Sequence, residues 1–247
     1  MTSTCALYCL NFQNKTRSIS MADRFEKAGV TAILHPGVPI SDPRIAGRAL
    51  IPHTEKCWSC MYGHLDMMRD FLEKDSRPYG IFCEDDILID ANFRSLLEHV
   101  LEDFETMKMD TMLLGYLITH PIIGDSNGSF AKYKQSLYVD IETANTTTFN
   151  YYDYGDIWGT QMYLLSRKHA QFIVEKYANG YADHFLKNSA TVFPPFSADW
   201  SITKEGKRCI VYPMLAIEDG LTIYDDDGQR DFHTLSYSSH KDVSTYI

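Results

Sequence analysis

Between Cys5 and Leu114 the chain alternates short apolar, β-prone runs with longer segments of helical spacing. The runs are Cys5 to Asn11, Thr31 to Leu34, Gly80 to Cys83 and Thr111 to Leu114. Thr16 to Ala28 repeats Ile19, Ala22, Phe25 and Ala28 and stops at Gly29. Glu55 to Glu73 carries Cys57, Cys60, Met61, His64, Leu65, Met68, Phe71 and Leu72 along one side, and Phe93, Leu96, Leu97, Val100, Leu101 and Phe104 mark a further helix. Apolar residues three and four apart share a helix face, whereas short apolar runs bounded by turn residues fit buried strands. The alternation predicts an α/β fold with a mixed, mostly parallel central sheet flanked by helices. His35 to His53 holds Pro and Gly throughout and reads as a loop across the top of the sheet.

The pattern changes after Tyr116. Residues 119–156 are polar and read as loops and short antiparallel strands. Gly159 to Leu165 is apolar again, and Arg167 to Tyr177 reads as a helix with Ala170, Phe172, Ile173 and Tyr177 facing inward. A Pro-rich connector from Thr191 follows, then a short helix capped by Asp199 or Ser201, then a last strand from Arg208 to Tyr212. The stretch from Glu218 onward is acidic, then hydroxyl-rich, and is expected to lie across the surface. With 247 residues, 45% of them hydrophobic, and no long polar linker, the expectation is one domain over 1–247.

The net charge of −10 and the lack of any Lys/Arg cluster argue against nucleic acid or an anionic membrane as partner. No stretch approaches the roughly 20 apolar residues of a membrane span, and no signal-like leader precedes the first strand. A cytoplasmic location is expected, the host cytoplasm for a viral protein. Cys5, Cys9, Cys83 and Cys209 lie in strand-like runs, where free Cys packs as a small hydrophobe. Cys57 and Cys60 form a lone CxxC without a second ligand pair at zinc spacing.

The chemistry-bearing feature is Glu84-Asp85-Asp86, set between the apolar runs Tyr79 to Cys83 and Ile87 to Ile89. A buried strand ending in carboxylates places them at the carboxyl edge of the sheet, where open α/β sheets bind ligands. Charges this close need a cation or strong donors. Mg²⁺ and Mn²⁺ accept carboxylate oxygens and bridge to substrate phosphates, so a metal–nucleotide site is expected; a solvated turn is the plain alternative.

Several segments in register resemble glycosyltransferase family 25. Tyr8 to Phe12, followed by a helix bearing Arg17 and Arg24, looks like its opening strand and helix. Glu55 to His64 is similar to its Gly-Cys-x-x-Ser-His helix, with Cys60 and His64 matching and Ser59 and Gly63 replacing the Gly and Ser. Glu84-Asp85-Asp86 resembles its acidic strand end, and Gly159 to Lys168 its Gly-Thr-x-x-Tyr-Leu-Ile-Ser junction. Asp199 falls where the family carries an Asp before its last strand, although the acidic stretch after Pro213 departs from bacterial members. The resemblance implies a GT-A fold and transfer of a sugar from a nucleoside-diphosphate donor, such as a UDP-sugar, to a glycan, glycolipid or protein acceptor, usually with Mn²⁺. Residues 1–116 would form the nucleotide-sugar half and 117–247 the acceptor side.

On that reading Asp86 and Glu84 bind the metal, Glu84 alternatively orienting a water or a ribose hydroxyl. Asp85 points the other way, as strand alternation requires, and holds the loop or a donor hydroxyl. GT-A enzymes often take a third ligand from a late His, which makes His233 the first candidate and His240 the second. Leu10 and Asn11 end the first strand beside the expected base. Arg17 reaches a phosphate or the base, or is an ordinary exposed helix charge. His64, on the apolar side of its helix, reads as a core histidine bonded to a backbone carbonyl, and family resemblance adds a supporting role at the site. Thr160, in the strand-to-helix junction, joins the cofactor-binding set. An inverting transfer needs a base on the acceptor hydroxyl. Asp199, with Trp200 beside it as a sugar platform, is the first choice, and Asp156 beside Trp158 the second; either also suits a helix cap. Tyr151, Tyr152 and Tyr154 are expected to shape the acceptor site or to form a hydrophobic patch.

Two other functions fit less well. A nucleotidyltransferase usually asks for a Gly-rich loop after the first strand, and Asn11 to Arg17 contains no Gly. A non-catalytic carbohydrate-binding protein has no need of an acidic cluster that costs stability.

Overall fold

A computed structural model describes residues 4–48, 54–118, 149–152, 157–189, 191–220 and 227–247. Its strands are β1 (Cys5–Asn11), β2 (Ile33–Pro36), β3 (Tyr79–Glu84), β4 (Ile87–Ile89), β5 (Thr111–Leu117), β6 (Asn150–Tyr152), β7 (Trp158–Ser166), β8 (Arg208–Tyr212) and β9 (Ala216–Glu218). Its helices are α1 (Lys15–Lys27), α2 (Thr54–Lys74), α3 (Phe93–Thr106), α4 (Arg167–Tyr177), α5 (Tyr181–Lys187), α6 (Ala198–Ser201) and α7 (Asp227–His240).

The main sheet has seven strands in the order β2-β1-β3-β7-β5-β8-β6. Strands β2, β1, β3, β5 and β8 run one way, whereas β7 and β6 run against their neighbours. The sheet is therefore mixed and mostly parallel, as expected. Strand β7, from the second half of the chain, lies between β3 and β5 of the first. That insertion sets Gly159 and Thr160 beside the end of β3.

Both faces of β1 are buried, which is why it reads as an unbroken apolar run. Its side chains alternate strictly. Ala6, Tyr8 and Leu10 join the layer under α2 and α4, and Cys5, Leu7 and Cys9 join the layer under α1 and α3. The α2 layer is aromatic: Phe82 stacks on Tyr8 at 5.8 Å and on Tyr163 at 5.5 Å, with Phe71 edge-on. Each such pair adds about 0.5–1.5 kcal/mol beyond area burial. Phe82 belongs to the α2 layer, so Glu84, two residues on, leaves the sheet toward the same side.

Local signals account for the helix starts. Asn14 caps α1 by accepting from the Arg17 N–H at 3.1 Å, and Ser166 caps α4 by accepting from His169 at 3.2 Å. Ser197 occupies the cap position of α6, not Asp199 or Ser201. Ile19 (61% exposed) and Phe172 (42%) face solvent on their helices, and Cys57 is exposed. In each case enough other apolar residues fill the inner face.

The largest departure concerns the C-terminal stretch. Ala216–Glu218 pairs antiparallel with Ile87–Ile89, putting Glu218 opposite Ile87, and Asp227–His240 is helical with Ser236 and His240 buried. The final residues also dock: Ile89 and Ile247 exchange backbone bonds at 3.0 and 2.9 Å. Tyr151 and Tyr152 are core residues of β6, and the Tyr151 hydroxyl donates to Asp103 at 2.5 Å, so these two do not form an acceptor loop. The expected loops and strands of 119–148 and 153–156, Tyr154 included, lie outside the described residues. Among the described residues no helix is long and apolar enough to cross a membrane.

Candidate active site

The site is built where β3 stops. Glu84 is its last residue, and the chain turns at Asp85 and Asp86 before entering β4. The three acids find different partners. Glu84 Oε1 accepts from Thr160 Oγ1 at 2.5 Å, and the buried His64 ring lies behind it with Nε2 at 3.6 Å. Asp85, 4% exposed, accepts from Asn11 Nδ2 at 2.6 Å and pairs with Arg17 Nη1 at 3.0 Å. The same Arg17 nitrogen is 3.3 Å from Asp86. One guanidinium thus serves two carboxylates, and the charge on the cluster stays negative.

The β4–β9 pairing adds further acidity. The Asp219 N–H donates to the Asp86 carbonyl at 2.7 Å, which holds β9 against the turn. Glu218 is buried and pairs with His233 of α7. Burial pushes the Asp86 carboxyl up to about 8, with Glu84 and Glu218 adding to the effect against the pull of Arg17. Burial also acts on Glu84, but His64, Thr160 and His233 outweigh it and hold its carboxyl below the usual range. Asp85 is raised by burial despite Arg17 and Asn11.

Two hollows meet at this cluster and share Lys56, Cys60, Glu84 and Asp86 in their walls. The smaller, about 360 Å³, is bounded by Leu10, Phe12, Arg17, Pro39 and Ile40. The larger, about 640 Å³, reaches Thr160, Asp199, Glu218, Phe232 and His233. Asp199 stands on α6 across this larger cleft. Burial, then the Glu84 charge, pushes its carboxyl up to about 6, opposed by His64, the Gly159 N–H and Lys204. Gly159 presents that N–H at φ 122°, a conformation L side chains rarely adopt.

The structure thus brings together Asn11, Arg17, His64, Glu84, Asp85, Asp86, Thr160, Asp199 and His233. Leu10 is buried under the smaller hollow and lines it. His64 Nδ1 bonds the Tyr163 hydroxyl at 2.8 Å and not a backbone carbonyl. Trp200 packs on Phe193 at 5.2 Å with the Lys204 ammonium over its ring, away from the lining of either hollow. His240 is buried and bonds the Ser236 carbonyl at 2.9 Å, so it does not reach the cluster. Asp156 lies outside the described residues. Glu218 is the participant the sequence did not reveal; its one local signal is an acidic residue ending the apolar run Leu215 to Ile217.

A carboxylate-rich cleft at the carboxyl edge of a mixed α/β sheet lies where such sheets bind their ligands. Residues 51–186 match the family described as Glycosyltransferase family 25 (LPS biosynthesis protein). That is more than half of the chain, and the chain belongs to this family: it is a glycosyltransferase. No curated protein sequence matches it. Among the solved structures similar to it are these two. One is a glycosyltransferase involved in the glycosylation of the major capsid of PBCV-1, with 9% identity, a TM-score of 0.45 and coverage of 93% of this chain and 98% of that one. The other is A197 from STIV, with 12% identity, a TM-score of 0.38 and coverage of 83% and 80%.

Proposed function

We propose that this chain is a GT-A-type, divalent-metal-dependent glycosyltransferase that moves a sugar from a nucleoside-diphosphate donor, such as a UDP-sugar, to a glycan, glycolipid or protein acceptor with inversion. The observation that carries this reading is that Glu84, Asp86 and Glu218 all line one cleft, with Arg17 paired to Asp85 and Asp86 beside it. Carboxylates with one imidazole are the donors that Mn²⁺ or Mg²⁺ takes. Glu84, Asp86, Glu218 and His233 would have to draw together around the ion, since among the described residues only Cys60, His64 and Glu84 already place ligand atoms within 4.8 Å of one another. Asp86, with its carboxyl near 8, ionises at neutral pH when a cation stands beside it.

Glu84 and Asp86 would hold the metal, with Glu218 and His233 completing the set. When bound, the ion offsets negative charge on the departing diphosphate. The smaller hollow, lined wholly by residues of 1–116, suits the nucleotide, with Leu10 and Phe12 as its apolar wall. Arg17 sits at its floor, held by Asp85, and adds a fixed positive charge toward the phosphates. Asn11 keeps Asp85 in place. Thr160 orients Glu84 through its hydroxyl, and His64 supports the same carboxylate from behind.

Asp199 faces the larger cleft, where an acceptor hydroxyl would enter. It takes the hydroxyl proton as the acceptor oxygen bonds to the anomeric carbon and the bond to the diphosphate oxygen breaks. A carboxylate near 6 is ionised at neutral pH yet more basic than an ordinary aspartate, which suits a general base. We read the chain as one domain, 1–116 serving the donor and 117–247 supplying most of the acceptor side.

Thermal melting with Mn²⁺ and a panel of nucleoside-diphosphate sugars tests the reading. The matching donor at about 100 times its Kd adds about 2.7 kcal/mol of stability. The midpoint is expected to rise with that donor only when Mn²⁺ is present. A midpoint unmoved by every donor would contradict the proposal.

A further inference from the structure

Cys60 and His64 are four residues apart on α2 and therefore share one face of the helix. Glu84 meets that face from the end of β3. One ligand atom from each, the Cys60 thiol sulfur, a His64 ring nitrogen and a Glu84 carboxylate oxygen, lie within 4.8 Å of one another. Cys57, the other half of the CxxC, is exposed and takes no part in the group.

The histidine supplies an independent sign of a ligand. His64 is fully buried, and its Nδ1 is engaged with the Tyr163 hydroxyl at 2.8 Å. Its Nε2 is buried with no hydrogen-bond partner among the described residues, 3.6 Å from Glu84. A ring held through Nδ1, with a thiol and a carboxylate close to its other side, is the arrangement of a metal-ligating imidazole held by an outer partner.

We propose that Cys60, His64 and Glu84 form a second cation site, for a thiophilic divalent ion of the zinc type. Sulfur and imidazole select a softer ion than the oxygen-rich group around Asp86. Zn²⁺ with S, N and O ligands at about 2.0–2.3 Å needs the three atoms to close by roughly an ångström. Cys60 and Glu84 both line the two hollows, so the ion has a path in. Occupancy draws Glu84 toward α2 and away from Asp86 and Glu218. On the function proposed above, Zn²⁺ then inhibits Mn²⁺-dependent transfer; this second half rests on that reading.

The test uses the full chain titrated with Co²⁺ as a spectroscopic probe, then with Zn²⁺ as competitor. Wild type is expected to show a thiolate-to-cobalt charge-transfer band that one equivalent of Zn²⁺ removes. Cys57→Ser keeps the band and Cys60→Ser abolishes it. His64→Gln weakens Co²⁺ binding at least tenfold; a melting curve establishes that it is folded, and Cys60→Ser carries the same test if it is not. No band in wild type, or a band that survives Cys60→Ser, overturns the site. A turnover assay with Mn²⁺ reads the second half: loss of activity with Zn²⁺ in wild type but not in Cys60→Ser supports it, and equal loss in both overturns it. If no donor is turned over at all, the transferase reading fails while the cobalt band still decides the site.

Discussion

Thr160 Oγ1 donates to Glu84 Oε1 at 2.5 Å, joining the middle of the sheet to the last residue of β3. The contact exists because β7 is inserted antiparallel between β3 and β5, and it fixes one oxygen of a proposed metal ligand. A hydrogen bond to a charged group contributes about 1.5–3 kcal/mol. Thr160→Val keeps the shape and removes the donor. It is expected to lower kcat/KM for donor turnover by about tenfold or more with little change in melting temperature, and Thr160→Ser is expected to restore activity. Steady-state kinetics of the three forms check this.

The proposed role of Asp199 as the base predicts a pH dependence. As the base it must be ionised, so kcat/KM is expected to rise with pH through about 6 and then level off. Asp199→Asn removes the rise and slows transfer far more than donor binding. Its effect on stability has the opposite sense. A carboxyl raised from its ordinary value near 3.8 to about 6 stabilises the fold below about 3.8 and loses that contribution as pH rises through about 6. Asp199→Asn should therefore melt higher than wild type at pH 7–8, with the gap closing toward pH 4. Melting curves across that range read it directly.

Glu218 is expected to matter to the metal although it lies far from the acidic triplet in sequence. Glu218→Gln keeps its size and removes one charge, which should weaken Mn²⁺ binding by about tenfold and raise the Mn²⁺ concentration needed for half-maximal activity. Calorimetric titration of Mn²⁺ measures it. An unchanged Mn²⁺ affinity would remove Glu218 from the ligand set.

Much of this site was legible in the sequence because its ingredients are local. The strands Cys5–Asn11 and Arg208–Tyr212 and the helix Arg167–Tyr177 follow from contiguous periodicity, and the triplet 84–86 announces a strand end by its abrupt change from apolar to acidic. Glu218 was not legible. Strands β4 and β9 are three residues each, too short to show a period, and they become strands only by pairing across more than a hundred residues. The helix of α7 was hidden for a related reason: Ser, Thr, Asp and Gly in its sequence have poor helix propensity, and packing against β9 outweighs that. Tyr151 stayed open between an acceptor-site loop and a hydrophobic patch because tyrosine suits both an exposed platform and a core strand, and its buried bond to Asp103 needs a partner 48 residues away. The Cys60–His64 pair is in helical register, but only the end of β3 turns it into a three-atom cluster.

Gly115 reports on how closely β9 approaches the sheet. A Cβ there would fall 2.7 Å from the Ala216 backbone oxygen, which cannot move without shifting β9. Gly115→Ala is expected to cost about 1–3 kcal/mol of stability, as overpacking does. Because β9 carries Glu218, metal-dependent activity should fall as well. Denaturant unfolding gives the first effect and Mn²⁺ titration of activity the second.

The central claim is that Asp86 and Glu84 grip a divalent cation that activates a diphosphate leaving group. Release of nucleoside diphosphate from the donor, measured with and without Mn²⁺ in wild type and Asp86→Ala, tests it most directly. Wild type should need Mn²⁺, and Asp86→Ala should lose about a hundredfold or more of the metal-dependent rate while staying folded. Full metal-dependent release in a folded Asp86→Ala protein would contradict it.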